Sequence, residues 1–340
     1  KPQVINLIIE EIPEELLNNP GERKRALLEI FKRMVKAYKI KGQVVTSIPS
    51  PLAQTGMIRL PNMPHDEIDK AVKWELSQTS TIALEDLSFD YYILDEAEGS
   101  SEIKVMVISC SKKDVLEQLA LIQSANLFPV AVEIDSLAIV SSLIYSSQIK
   151  KEEVVLFLDF GYSSCSLNIV VNNQIYLIRH LAINGKSLTH AISDHCHISY
   201  KEAEHLKVIC GLIDVEHPAK EIREETAVMV NEALWLHLEN LIQEIDYTFK
   251  YFIHQITIGR KVSKLDKIIL SGGSANLNRF SLYLSSSLNT PTEVINPFKV
   301  IPLSANINSQ FSTSDKIDNL TYLAPQLSVT MGLALRELEK

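Results

Sequence analysis

The sequence has few of the features that mark secreted, disulfide-linked or membrane-spanning chains. Among 340 residues there are only four cysteines, and their spacing shows no pairs. We therefore expect reduced and mostly buried thiols, as in cytosolic proteins. No apolar run reaches the roughly 18–20 residues that a membrane helix needs, so we predict no direct membrane span. The cysteines are Cys110, Cys165, Cys196 and Cys210.

Positive charge is also scarce. The chain has 33 lysines and arginines against 42 acidic residues, a net charge of −9. Binding nucleic acid needs a basic face, so we predict no nucleic-acid partner. The one basic stretch, residues 22–41, surrounds apolar Leu27, Phe31 and Val35. This pattern favours a helix that packs one side on a core and exposes a basic side to solvent.

Two short patterns resemble site motifs but have the wrong spacing. "DHCHIS" brings His195, Cys196 and His197 together, yet no second cluster completes a tetrahedral zinc site. "INGKS" ends like a P-loop, but the first glycine of that motif falls at His180. We predict neither a zinc site nor a P-loop.

The order of elements predicts an α/β protein. Strand-like and helix-like segments alternate through residues 4–147, and the pattern starts again at residue 153 with three strands followed by helices. Two related lobes that face a cleft are therefore expected. Strands are predicted at 4–12, 42–51, 55–64, 87–94, 101–110, 129–135, 153–183 (three), 265–273 and 292–298. Helices are predicted at 22–39, 65–78, 111–125, 136–147, 186–196, 199–211, about 221–258, 276–289 and 324–338.

The stretch "VVLFLDFGYSSCSLNIV" suggests a phosphate-binding turn. Asp159 ends an apolar strand, and Gly161 permits a tight turn after it. The amides of Tyr162, Ser163 and Ser164 would then surround an anion. A carboxylate beside phosphates implies a divalent cation, so Asp159 is predicted to hold a metal through water.

A second glycine turn follows the same order of strand, glycines and helix. "IILSGGSANL" ends a buried strand at Gly272 and Gly273, with Ser274 behind them. Both turns would approach one ligand from the same lobe. Either turn alone is common in α/β folds, and the pair of them is the stronger signal.

Together these segments resemble the PilM and FtsA branch of the actin-like ATPase superfamily, over nearly the whole chain. The resemblance implies two actin-like (RNase H-like) lobes around a nucleotide cleft, and ATP or ADP with Mg²⁺ as cofactor. "LAINGKSLTHAI" followed by "KEAEHLK" matches the segment whose Glu and Lys reach ribose and adenine, here Glu204 and Lys207. The implied nucleotide-binding set is Asp159, Gly161, Tyr162, Ser163, Ser164, Gly185, Lys186, Glu204, Lys207, Gly272, Gly273 and Ser274.

The sequence departs from the family pattern at three places. The family begins with a strand that carries a first phosphate loop, and the printed sequence starts after that element. Cys165 stands where relatives usually have threonine, and the bulky Tyr162 where a small residue is usual. Any enzymatic activity is therefore expected to be at most that of a weak ATPase.

The resemblance also implies an FtsA/PilM-type subdomain, called 1C, inserted in the first lobe. The expected divisions are 1–51 with 129–150 for the first lobe, 52–128 for subdomain 1C, and 151–340 for the second lobe. A groove walled by strand 42–48 and segment 56–76 is expected to hold the cytoplasmic tail of a PilN-like inner-membrane protein. Its predicted lining is Met57, Ile58, Leu60, Trp74 and Leu76.

The resemblance implies a cytoplasmic scaffold of the type IV pilus or a related secretion system, peripheral at the inner membrane through its partners, which include other pilus platform components. Two alternatives stay open. One is a nucleotide-free platform like the cytoplasmic domain of the type II secretion L protein. The other is an enzyme like a sugar kinase, for which Asp135 at a strand end is the only obvious catalytic candidate.

Overall fold

The computed structural model describes residues 2–10, 12, 20–94, 101–146, 149–150, 152–212, 223–255, 262, 264–304 and 316–336. Its elements fall into three groups, and the second group lies in the chain between β1 and β5 of the first. In the first group, α1 (Pro20–Ala37) precedes β1 (Gln43–Ile48), which pairs in parallel with β5 (Phe128–Ile134), and α4 (Asp135–Tyr145) follows β5 directly.

The second group is a small sheet with two helices. Strands β2 (Gln54–Pro61), β3 (Leu87–Ile93) and β4 (Glu102–Ser111) form an antiparallel sheet in the order β2-β4-β3. Helix α2 (His65–Thr79) buries Ile68, Val72 and Leu76 against it. Helix α3 (Lys112–Ser124) begins at Ser111, whose side chain accepts from the Lys113 amide, and it packs on both β1 and β5.

The third group contains the largest sheet, in the order β10-β9-β6-β7-β8. Strands β6 and β7 and strands β7 and β8 pair antiparallel, whereas β9 is parallel to β6 and to β10. The strands are β6 (Val154–Phe160), β7 (Cys165–Val171), β8 (Gln174–Leu181), β9 (Lys267–Ser271) and β10 (Thr292–Val294). The helices are α5 (Gly185–Cys196), α6 (Tyr200–Cys210), α7 (Glu224–Gln255), α8 (Phe280–Leu288), α9 (Lys316–Leu323) and α10 (Ser328–Leu335).

Strand β6 has a core on each face because successive side chains of a strand point to opposite sides. Leu156 and Leu158 pack in the cluster that contains residues of α5, α6 and α7. Val155 and Phe157 pack with Ile139 and other residues of α4. This two-sided burial explains why β6 reads as a continuous apolar run, and it fixes the strand that ends in Asp159.

The small sheet shares a core with the largest one. Met106 of β4, 1% exposed, belongs to the same buried cluster as Tyr176 of β8. The Tyr92 hydroxyl donates to the Ile175 carbonyl at 2.7 Å, and the Gln174 amide donates to the Ile93 carbonyl at 3.1 Å. The small sheet, which is inserted in the chain between β1 and β5, is therefore packed against the largest sheet, which belongs to the predicted second lobe.

The predicted strand at 4–12 is wrong over residues 4–10. Val4 makes a single bridge to Leu303, and the rest of the segment makes no strand pair with the described residues. Ile5 is 75% exposed, because an apolar run is not stable as a strand without a neighbouring strand. The predicted helix at 276–289 is also shorter, since a 3-10 turn spans Gly273–Asn276 and Arg279 is left-handed before α8 begins.

The other predicted elements lie near their expected positions, within the residues described. The ends of the predicted helix 221–258 lie outside them, at 221–222 and 256–258. The closing helix starts with a 3-10 turn, Ala324–Leu327, that includes Pro325. In the described part of the chain, no helix is both long enough and apolar enough to cross a membrane.

Candidate functional site

The loop between β6 and β7 is a hairpin turn with two residues at its tip. The Gly161 amide donates to the Ser164 carbonyl at 2.9 Å, which leaves Tyr162 and Ser163 at the tip. Both tip residues are exposed. Within the described residues their amides have no backbone acceptor. The turn thus offers two adjacent N–H groups of the kind that bind an anion.

The start of α5 is docked onto this turn. The Asn184 side chain accepts from the Ser187 backbone amide at 2.9 Å, and the Asn184 backbone amide donates to the Ser187 hydroxyl at 3.0 Å. The two bonds form a capping box. The Gly185 amide donates to the Gly161 carbonyl at 2.9 Å, and the Lys186 amide donates to the Tyr162 carbonyl at 2.8 Å. The capped helix end therefore fixes the turn.

The two glycines after β9 have different surroundings. Gly272 has φ +81°, and a Cβ there would lie 2.4 Å from the Phe160 carbonyl oxygen, so only glycine fits. A Cβ at Gly273 would meet its nearest neighbour, Gln326, at 3.9 Å. Gly272 thus lets β9 lie against the end of β6, while Gly273 borders open space.

Glu204 and Lys207 lie on one face of α6 and form a compact polar network. The Lys207 ammonium donates to Glu204 at 2.7 Å, to the Thr189 hydroxyl at 2.8 Å and to the Gly185 carbonyl at 3.0 Å. Burial lowers the pKa of Lys207, and the Glu204 carboxylate opposes this shift. Lys207 is 6% exposed, whereas the Glu204 side chain is 38% exposed. Glu204 is therefore the member of the pair that a ligand would reach.

These segments meet around one cavity of about 170 Å³. Leu188, Val208 and Leu277 contribute its apolar lining. Six of the predicted nucleotide residues line it: Tyr162, Gly185, Glu204, Lys207, Gly273 and Ser274. The other six, Asp159, Gly161, Ser163, Ser164, Lys186 and Gly272, lie in or next to the same turns but are not in the lining.

Sequence reasoning missed three polar residues of the lining. Asn276 follows the second glycine turn, and its side-chain amide donates to the Tyr322 carbonyl at 2.6 Å. Tyr322 and Gln326 come from the end of the chain, which α9 and the turn after it bring back to the glycines. The Gly272 amide donates to the Pro325 carbonyl at 3.0 Å and holds this return in place. No local signal in the sequence marks Tyr322 or Gln326.

Asp159 lies beside the turn and close to a second carboxyl. The Ser271 hydroxyl donates to Asp159 at 2.6 Å. Burial raises the pKa of Asp159 to about 6, Ser271 opposes the shift, and the negative charge of Asp135 adds to it. Burial also raises the pKa of Asp135, although it accepts hydrogen bonds from the Ser47 hydroxyl and the Ser50 amide. A cation near these carboxyls would reduce their electrostatic cost.

The five residues predicted to line a partner groove are not brought to one surface. Leu60 and Leu76 are in the core of the small sheet, each 9% exposed, and Ile58 packs against that core. Met57 packs against the second-lobe cluster, and Trp74 is 65% exposed on α2. Leu60 and Leu76 are therefore part of the small sheet's own core, and the partner groove stays a prediction.

A separate groove lies between the small sheet and the β1–β5 pair. It has a volume of about 370 Å³ and lies between β3 and β5, with α4 and Arg336 also contributing. Strand β1 adds only Ile48, and segment 56–76 adds nothing to the lining. In the described sheets β3 pairs only with β4, and β5 only with β1, so each has an edge free of strand pairing.

Structural comparison first identifies the class. The chain resembles the PilM-PilN type IV pilus biogenesis complex, with a TM-score of 0.77 and 24% identity over 97% of this chain and 90% of that chain. It also resembles a MamK double helical filament, with a TM-score of 0.55 and 10% identity over 95% of this chain and 78% of that chain. The fold is that of the actin-like proteins, as predicted.

The sequence then identifies the family. The family described as type IV pilus assembly protein PilM matches residues 2–338. The chain belongs to this family, which confirms the family predicted from the motifs.

Proposed function

We propose that this chain is an actin-like scaffold of type IV pilus assembly that binds an adenine nucleotide and the cytoplasmic tail of a PilN-like membrane protein. The scaffold role follows from family membership. The tail would hold the chain at the inner membrane, so the chain itself would lie in the cytoplasm.

The observation that carries nucleotide binding is the convergence of both glycine turns and α6 on one cavity. Leu188, Val208 and Leu277 suit the faces of a base, and Glu204 is exposed enough to accept from ribose hydroxyls. The tip amides of Tyr162 and Ser163 would bind phosphate oxygens. A volume of about 170 Å³ is below that of a typical ligand pocket, so the phosphates would extend outside the cavity.

The residues next to the turn suit Mg²⁺ with the nucleotide. Asp159 and Asp135 supply carboxylate oxygens, and each has a raised pKa that a cation would reverse. Within the described residues no three His, Cys, Asp or Glu side chains form a metal cluster. Asp159 would therefore hold Mg²⁺ through water while phosphates complete the coordination. The ion would neutralise phosphate charge.

The test is calorimetric titration of the protein with MgATP and with adenosine. We expect both to bind, and Glu204→Gln to weaken both about tenfold, because it replaces a charge-assisted hydrogen bond to ribose. Glu225→Gln, at an exposed position at the start of α7, is the matched control. Absence of binding by the parent protein would support the nucleotide-free platform instead. Phosphoryl transfer to a sugar would support a kinase.

For the tail we propose the groove between β3 and β5. An extended peptide could pair with the free strand edges and place its apolar side chains against Val132, Leu137 and Ile108. Glu133 and Arg336, paired at 2.8 Å, lie at the same groove and would restrict which polar side chains fit. The position of this groove, between the small sheet and the β1–β5 pair, supports it as the site for the tail.

The groove is tested by titrating the protein with a synthetic N-terminal tail peptide of a PilN-like protein. Val132→Arg places a charge in the groove and should abolish binding. Val130→Arg, on the same strand but outside the groove lining, should leave it unchanged. If binding survives Val132→Arg but is lost in Trp74→Ala, the tail binds at α2 and not in this groove.

A further inference from the structure

Tyr162 links the phosphate-binding turn to the helix that carries Glu204. Its side chain lines the cavity, and its hydroxyl accepts from the Tyr200 hydroxyl at 3.0 Å. Tyr200 is the first residue of α6 and lies one helical turn before Glu204. This contact therefore joins the turn and α6 beside the cavity.

The two tyrosines differ in how firmly they are held. Tyr200 is half-buried, and its ring contacts that of His190 with centroids 5.0 Å apart. Its backbone is fixed at the start of α6, where the Ser199 side chain accepts from the Glu202 amide. Tyr162 is 40% exposed at the tip of a two-residue turn. Tyr162 is thus the partner that can rotate away at small cost.

A nucleotide in the proposed site would have to pass this contact. Its ribose would lie at Glu204, and its phosphates would lie at the tip amides of Tyr162 and Ser163. The route between these two places runs past the Tyr162 side chain. A ligand without phosphates would fill the cavity and stop before it.

We propose that Tyr162 is a gate, held closed by its hydrogen bond to Tyr200, that limits binding of phosphate-bearing nucleotides but not of adenosine. This inference rests on the proposed nucleotide site. The gate predicts that the apparent affinity for ATP equals the affinity of the open form multiplied by the fraction of molecules in which the gate is open. Adenosine would bind the closed and open forms alike.

Stopped-flow association of a fluorescent ATP analogue, with Mg²⁺ present, tests the gate. Tyr162→Phe removes the hydroxyl that accepts from Tyr200 and keeps the ring, so it should speed association about three- to tenfold, the effect of one net hydrogen bond. Tyr200→Phe removes the same contact together with the hydrogen bond between Tyr200 and Thr189, and it should also speed association. Tyr162→Ala should speed it at least as much. Tyr251→Phe, at an exposed position on α7, is the matched control. Adenosine affinity by calorimetry should stay unchanged in Tyr251→Phe, and in Tyr162→Phe it should change by a smaller factor than the association rate of the ATP analogue does.

Three results contradict the gate, and they differ in what they imply about the nucleotide site. If the ATP analogue binds the parent and both phenylalanine variants at the same rate, the gate is absent while the nucleotide site stands. If neither the analogue nor adenosine binds any of the proteins, including Tyr162→Ala, the nucleotide site is absent as well. Faster association of both ATP and adenosine would show general loosening, and it too contradicts a phosphate gate.

Discussion

At the scale of single residues, Gly272 and Gly273 have separate roles although they are neighbours. At Gly272 a side chain would strike the Phe160 carbonyl in a backbone conformation that side chains disfavour. We expect Gly272→Ala to lower the free energy of unfolding by about 2–4 kcal/mol. Gly273→Asp should leave stability within about 0.5 kcal/mol and still abolish ATP binding, because its charge would enter the cavity.

Chemical denaturation and ATP titration of both variants check this, with Gly273→Ala as the uncharged control. A folded Gly273→Asp protein that binds ATP like the parent would contradict the placement of the nucleotide. Gly272→Asp would be a poor test, because loss of ATP binding could follow from loss of folding.

Asp159 should make stability depend on pH. Its pKa is about 6 in the folded protein against an ordinary 3.8, so the folded state binds the proton more tightly. The stability that Asp159 contributes is present in full below its ordinary pKa of 3.8. This contribution is lost as pH rises from there through the folded-state pKa of about 6. At pH 7.5 the ionised carboxylate costs about 1–3 kcal/mol, and we expect Asp159→Asn to recover it.

Thermal unfolding from pH 4 to pH 7.5, without nucleotide, measures this effect. The exposed Asp194→Asn on α5 is the matched control and should follow the parent curve. An Asp159→Asn protein that loses stability at pH 7.5 would show that the carboxylate is already compensated in the empty site.

At the scale of elements, the start of α5 connects helix capping to the site. Asn184→Ala removes the cap and should cost about 0.5–2 kcal/mol. It should also weaken ATP binding, because the amides of Gly185 and Lys186 hold the turn through its carbonyls. Ser111→Ala, which removes the cap of α3, should cost a similar amount of stability without affecting ATP. Equal effects of both variants on ATP affinity would refute the connection.

At the scale of the whole molecule, the inserted sheet and the second lobe should unfold together. Met106 is buried in the same cluster as Tyr176 of β8, so Met106→Ala should lower the free energy of unfolding by about 2–4 kcal/mol within a single transition. Met229→Ala, at a position 39% exposed on α7, should change it by less than about 0.5 kcal/mol. Calorimetry that resolves two transitions, only one of them shifted by Met106→Ala, would show that the two parts are independent.

Local sequence signals determined most elements and part of the site. The apolar run of β6 predicts its burial, the capping residues Ser111 and Pro64 predict helix starts, and the glycines predict both turns. Such signals act between near neighbours in the chain, so they can be read without the fold. Glu204 and Lys207 were predicted to bind nucleotide from resemblance to a family, and both line the cavity.

Features that depend on long-range packing were decided only by the tertiary structure. Residues 4–10 form a strand-like apolar run, but a strand needs a neighbour and the described residues give Val4 only one bridge. Tyr322 and Gln326 reach the cavity because the chain returns to Gly272. Leu60 and Leu76 are apolar on any reading, and only their packing in the small sheet assigns them to a core instead of a groove. An apolar side chain needs burial, and the fold alone determines whether its own chain or a partner provides it.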